Sequence, residues 1–146
     1  RNNATFLAYR WMTRFTDFKL SAIIQSSTVK KISREEMAGY YAPFPDQSYQ
    51  AAARAWPSLV PIHRRNKDLP AMRKAWQFLG RWQQPVLIMF SDQDPFTRCW
   101  GLNFSQQLPA QNQTQVAIKD AGHFLQEDQG PQLAHNIIEF LQAQKG

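Results

Sequence analysis

The distribution of apolar and polar residues changes character near residue 81. Up to residue 80, apolar side chains recur at helical intervals and no convincing strand is present. Ser33 and Glu36 form a capping box, which predicts the start of a helix, and Pro43 predicts its end near Tyr41. Further helical patterns cover residues 5–18, 49–56 and 71–82, with a proline-bounded polar loop at 57–70. Residues 1–80 therefore form a predicted helical region.

Residues 81–146 alternate between strand and helix patterns. The apolar run from Pro85 to Phe90 is typical of a strand that is covered on both faces of a parallel sheet. A helix at 100–108, a strand at 114–118 and a closing helix at 131–142 follow. This alternation predicts a parallel sheet with flanking helices. Because such a small sheet is not stable alone, we expect the earlier strands in a missing N-terminal half.

Composition and length exclude several classes of protein. Of the 146 residues, 43% are hydrophobic and 19% charged, which is typical of one globular core. No apolar run approaches the roughly 20 residues that span a bilayer, and no signal-peptide pattern is present. We therefore expect no membrane partner and a cytoplasmic location. The start at Arg1 without a methionine indicates a fragment.

The net charge of +6 could indicate a nucleic-acid partner. The basic residues are scattered, however, and the densest cluster, residues 63–67, is followed at once by Asp68. A solvated loop is the favoured interpretation, so no nucleic-acid partner is expected. The single cysteine excludes an intrachain disulfide, and the three widely spaced histidines match no zinc-ligand spacing. We therefore expect no metal.

Two loops after the predicted strands carry candidate catalytic residues. Asp92 and Asp94 follow the first strand and His123 follows the second, and sites in parallel sheets form at the carboxyl ends of strands. A carboxylate that orients a histidine is typical of hydrolytic triads. The chain order, acid and then histidine with the nucleophile earlier, is that of α/β-hydrolases. We therefore predict Asp94 as the catalytic acid and His123 as the general base.

Each of these residues also has a structural interpretation. Asp94 precedes Pro95 and could cap a tight turn, while His123 could be an ordinary loop histidine. Asp92 is a rival acid. Asp94 is favoured over it because it precedes a proline and lies three residues after Ser91, where the hydrolase pattern has its acid.

Several segments resemble the haloalkane dehalogenases, and the likeness extends from Phe6 to about Leu141. The matching segments are Ala42–Asp46, Ser48–Tyr49, Arg54–Pro61, Phe90–Pro95 and Ala121–Asp128. The two loops after the strands are generic to α/β-hydrolases, whereas the run from Tyr40 to Val60 is much more specific. The resemblance implies the C-terminal part of an α/β-hydrolase fold, with a helical cap over residues 1–80 and part of the core in residues 81–146.

The resemblance also implies a reaction. In this family an Asp nucleophile displaces halide from carbon, and a histidine-activated water hydrolyses the resulting ester without a cofactor or metal. Asp94 would be the acid and His123 the base, with the nucleophile in the missing N-terminal half. The partners implied are a small apolar halogenated substrate and the halide. The resemblance further implies substrate-binding roles for five residues: Phe6, Tyr9, Trp56, Pro57 and Val60.

Tyr9 is the one clear difference from the family pattern. It stands where the family usually has a tryptophan that donates its indole N–H to the halide, and a phenol donates from a different position. Tyr9, Tyr40 and Tyr41 keep open an epoxide hydrolase, whose cap would offer tyrosine hydroxyls to the epoxide oxygen. The remaining alternatives are another α/β-hydrolase with the same acid–base pair and an inactive truncated chain.

Overall fold

The computed structural model describes residue 11 and residues 19–60, 65–97 and 100–144. In the described part of residues 1–80 there are helices and no strand, as predicted. These helices are α1 (Leu20–Ser26), α2 (Arg34–Tyr41), a 3-10 helix (Gln47–Gln50), α3 (Ala51–Leu59) and α4 (Leu69–Leu79). The aromatic-rich helix predicted at 5–18 lies outside the described residues, apart from Trp11.

Helix α2 begins and ends as its sequence predicts. The Ser33 hydroxyl accepts the Glu36 N–H at 3.1 Å, and the Glu36 carboxylate accepts the Ser33 N–H at 2.8 Å. The Lys30 ammonium donates to the same carboxylate at 2.9 Å. These bonds lower the pKa of Glu36 to about 2, the Ser33 N–H making the largest contribution. The helix stops at Tyr41, before Pro43.

The helix boundaries predicted near two prolines are wrong. Pro57 was expected to end a helix at Trp56, but α3 continues to Leu59 with the proline buried inside it. A proline inside a helix removes one backbone hydrogen bond at a cost of about 3 kcal/mol, so a local pattern favours a helix end there. Helix α4 begins at Leu69 and so includes Pro70, because a missing N–H is tolerated in the first helical turn.

The second region contains the parallel sheet that the sequence predicts. Its elements are β1 (Val86–Ser91), α5 (Trp100–Gln107), a short 3-10 helix (Ala110–Asn112), β2 (Gln113–Ile118) and α6 (Leu125–Ala143). β1 and β2 pair in parallel from Val86 opposite Gln113 to Ser91 opposite Ile118. Both strands therefore end at one edge of the sheet, and the loops that follow them lie side by side.

Helix α6 begins earlier than the predicted start at Pro131. Its first turn, from Leu125, directly follows the loop that carries His123. Gln129 has φ −134° and ψ 36°, so the helix is interrupted there and continues after Pro131. The proline ring disfavours a regular helix through the preceding turn. This early turn places two acidic residues, Glu127 and Asp128, beside the histidine loop.

The best-buried cluster joins the first region to the histidine loop. Leu20, Ile24 and Ile32 are buried, and Phe124 is one of the partly buried side chains that pack on them. The sheet is less well covered, since Ile88 is the only apolar residue of β1 that is buried. Cover on both faces of β1 is therefore incomplete in this chain. Among the described residues, no helix has both the length and the apolar character needed to cross a membrane.

Candidate active site

Asp94 and His123 meet at the edge of the sheet where both strands end. The His123 Nδ1 lies 3.0 Å from the Asp94 Oδ2. Parallel pairing explains this contact, because Asp94 lies three residues after the end of β1 and His123 five residues after the end of β2. The expectation that Asp94, and not Asp92, lies beside the imidazole is confirmed. The catalytic role of the pair stays a prediction.

The Asp94 carboxylate is buried but surrounded by donors. The residue is only 3% exposed. Its Oδ1 accepts the Phe96 N–H at 2.6 Å, and its Oδ2 accepts both the Thr97 hydroxyl and the His123 ring. Burial raises the pKa of Asp94, but the hydrogen bonds from Thr97, His123 and Phe96 together outweigh it and hold the pKa below its ordinary value. The carboxylate is therefore ionised at neutral pH and can stabilise an imidazolium.

Asp92, the rival acid, has a different environment. Its Oδ1 accepts the Ala121 N–H at 3.4 Å. The neighbouring Gln93 N–H donates to the Ala121 carbonyl at 3.0 Å. Asp92 thus helps to link the two loops through backbone contacts, and it forms no hydrogen bond with the imidazole.

The His123 ring is held by contacts on several sides. Phe96 meets it edge-on with ring centroids 5.2 Å apart and planes at 72°, and Phe124 lies 5.6 Å away at 31°. The side chain is 35% exposed, whereas that of Asp94 is 4% exposed. Because Asp94 occupies Nδ1, Nε2 is the nitrogen that can exchange a proton with water or substrate.

The loop before His123 is anchored to the segment Ser27–Lys30 of the first region. The Phe124 N–H donates to the Ser27 carbonyl at 2.8 Å. Gly122 lies so close to that segment that a Cβ added to it would be 2.6 Å from the Ser27 oxygen. Asp128 accepts N–H groups from both sides, Gly122 at 2.8 Å and Lys30 at 2.9 Å. No role for Asp128 was predicted from the sequence, where its only local signal is an acidic residue in a first helical turn.

Three of the five predicted substrate-binding residues lie in the part of the chain that the structure describes. Phe6 and Tyr9 lie outside the described residues. Trp56 is 71% exposed, Pro57 is buried, and Val60, which follows α3, is partly buried. Their role in binding stays a prediction. In the described ranges, no group of three His, Cys, Asp or Glu side chains is arranged to hold a metal ion.

Comparison with known proteins identifies relatives of this chain. No protein-family model matches it. A haloalkane dehalogenase of Mycolicibacterium paratuberculosis is 40% identical over 144 residues, 98% of this chain and 48% of the relative. The chain is therefore similar to haloalkane dehalogenases over nearly its whole length. Another such protein, from Mycobacterium marinum, is 38% identical over 141 residues, 96% of this chain and 48% of its own length.

The fold is shown by similarity to a solved structure. The haloalkane dehalogenase DbeA from Bradyrhizobium elkani aligns with a TM-score of 0.74 at 23% identity, covering 96% of this chain and 52% of DbeA. The α/β-hydrolase fold predicted from the sequence is therefore confirmed. The chain spans about half the length of the curated relatives it matches.

Proposed function

We propose that this chain is the C-terminal part of a hydrolase that cleaves carbon–halogen bonds in small apolar molecules. The observation that carries the proposal is the 3.0 Å contact between the Asp94 Oδ2 and the His123 Nδ1. It is supported by 40% identity to a haloalkane dehalogenase. In this proposal residues 1–80 are the cap and residues 81–146 belong to the core. An Asp nucleophile comes from an N-terminal half that precedes the matched region, and the complete protein is cytoplasmic.

The chemistry assigned to the pair is proton transfer in the second half of the reaction. First, the nucleophile's carboxylate oxygen bonds to the carbon that carries the halogen, and the carbon–halogen electron pair departs as halide. The His123 Nε2 then takes a proton from water as the water oxygen attacks the ester carbonyl. Asp94 stabilises the imidazolium that forms. Collapse releases the alcohol and restores the carboxylate, and the imidazolium returns its proton to solvent.

The apolar part of the substrate site is assigned to the first region. Phe6, Trp56, Pro57 and Val60 supply apolar side chains, and Tyr9 is assigned to the same substrate site. The 71% exposed indole of Trp56 supports this assignment, because a large apolar side chain at an exposed position is available to a ligand.

Epoxide hydrolysis is the competing activity, and one contact weighs against it. The Tyr40 hydroxyl donates to Glu127 at 2.8 Å, and burial together with that bond raises the pKa of Tyr40 to about 12. The Tyr41 hydroxyl accepts the Ser21 N–H at 3.1 Å. The Tyr40 proton is therefore committed to Glu127, whereas the Tyr41 hydroxyl only accepts in its contact and keeps its own proton. An epoxide would depend on Tyr9 or Tyr41 as the donor.

The test uses a complete protein, in which this chain is joined to an N-terminal half with an Asp nucleophile. A carboxylate is already ionised and needs no base, whereas water does. His123→Gln should therefore release at most about one halide per active site from a short bromoalkane and keep a covalent alkyl group, detected by mass spectrometry. The matched control is His135→Gln, since the His135 side chain is 68% exposed on α6 and should leave turnover intact.

Two results would overturn the proposal. Sustained halide release by His123→Gln would show that His123 is not the base. A wild-type protein that opens epoxides but releases no halide would move the assignment to the competing activity, with Tyr9 as the next residue to replace.

A further inference from the structure

One carboxylate outside the acid–base pair accepts hydrogen bonds from three backbone N–H groups around the histidine loop. Asp128, in the first turn of α6, accepts the N–H of Gly122 at 2.8 Å, of Val29 at 3.0 Å and of Lys30 at 2.9 Å. Val29 and Lys30 are 99 and 98 residues away in sequence. Hydrogen bonds to an ionised acceptor are stronger than neutral ones, so these three fix distant segments relative to each other.

The donors surround the residue that precedes His123. Gly122 is held from one side by Asp128 and from the other by close packing against the Ser27 carbonyl. Phe124, two residues after Gly122, donates its N–H to the Ser27 carbonyl at 2.8 Å. The backbone on both sides of His123 is therefore fixed, and this fixes where its imidazole points.

We propose that Asp128 is a positioning residue that holds the His123 imidazole in line with Asp94. The inference rests on the proposed function insofar as it treats His123 as the base. Asp128 acts through the Gly122 N–H and has no contact with the reacting atoms. Removing it leaves backbone N–H groups without their acceptor and lets the loop shift. A displacement of about 1 Å in a catalytic group costs roughly 100-fold in rate.

The variant is Asp128→Asn in the complete protein, with Asp120→Asn as the matched control. Asp120 lies near the start of the same loop and is exposed, and its φ of 52° is tolerated by asparagine. In single turnovers with a bromoalkane, Asp128→Asn should slow hydrolysis of the alkyl-enzyme ester by about 10- to 100-fold. Alkylation per active site should be unchanged, and Asp120→Asn should match wild type in both steps. A merely structural role would instead lower the number of active sites and affect both steps together.

A second measurement does not depend on activity. The proton on the His123 Nδ1, hydrogen-bonded to Asp94, gives an NMR signal that should persist in Asp120→Asn and shift or disappear in Asp128→Asn. If the wild type releases no halide, the proposed function fails, and this signal alone decides the role of Asp128. A wild-type signal in Asp128→Asn, or equal slowing of both steps, would overturn the inference. Should that variant not fold, Asp128→Glu, which keeps the charge but moves the carboxylate by one methylene, is measured in the same way.

Discussion

Thr97 offers the clearest test of how the Asp94 carboxylate is kept ionised. Its hydroxyl donates to Oδ2, the same oxygen that accepts from the His123 Nδ1. Thr97→Val removes this donor and nearly preserves the shape of the side chain. Thr97→Ser keeps the hydroxyl and loses a methyl group, so it is the matched control. Because the Asp94 side chain is only 4% exposed, water cannot readily replace the lost donor.

The expected loss of stability depends on the charge of Asp94. A hydrogen bond to a charged group contributes about 1.5–3 kcal/mol, and one to a neutral group about 0.5–1.5 kcal/mol. The pKa of Asp94 is held below its ordinary value, so this contribution is complete above the unfolded-state pKa and is lost as pH falls through the folded-state pKa. Thr97→Val raises the folded-state pKa, and its penalty should shrink as the solution becomes acidic.

Urea unfolding of the complete protein at about pH 7 and about pH 3 measures how this stability penalty changes with pH, since these two pH values lie on either side of an ordinary Asp pKa. At the higher pH we expect Thr97→Val to lower the free energy of unfolding by about 1.5–3 kcal/mol. At the lower pH the loss should be smaller by about 1 kcal/mol. Thr97→Ser should show little pH-dependent loss. An equal penalty at both pH values, or a serine variant as unstable as the valine variant, would refute the role assigned to Thr97.

Two further predictions concern the fold. The isolated 146-residue chain should aggregate and show no sharp thermal transition by circular dichroism. In the part of the chain that the structure describes, β1 pairs only with β2, and Ile138 of α6 is 53% exposed. A cooperative thermal transition of the monomer would contradict this prediction. Gly122→Ala should destabilise the complete protein by about 1–3 kcal/mol, because the new Cβ meets the Ser27 carbonyl at 2.6 Å. Gly39→Ala, with nothing within 4 Å of its Cβ, is the control in the same unfolding experiment and should not be destabilised.

The features that sequence patterns predicted correctly are those decided by short-range rules. The start of α2 depends on Ser33 and Glu36, which are three residues apart and satisfy each other's backbone donors. The parallel pairing of β1 and β2 follows from an apolar strand, a helix and a second strand in succession. Once those strands are neighbours, the contact between Asp94 and His123 follows from the lengths of the two loops.

Other features depend on contacts that no local pattern carries. The continuation of α3 past Pro57 is accompanied by burial of the proline ring, and burial is a tertiary property. The early start of α6 at Leu125 depends on the histidine loop lying against Ser27, far away in sequence. The bonds from Val29 and Lys30 to Asp128 span nearly one hundred residues, so spacing alone cannot reveal them.

Three aspartates, Asp92, Asp94 and Asp128, accept hydrogen bonds from the histidine loop with their side chains, and their partners separate their roles. Asp92 accepts the Ala121 N–H, and Asp128 accepts N–H groups from the loop and from the first region. A backbone N–H does not change its charge, so these bonds can hold segments together but cannot respond to a reaction. Of the three, Asp94 alone forms a hydrogen bond with an ionisable ring, that of His123. A full positive charge on the ring would strengthen this hydrogen bond. In the proposed reaction, the hydrogen-bond partner therefore distinguishes the acid that stabilises the charge on His123 from the acids that only hold the loop in place.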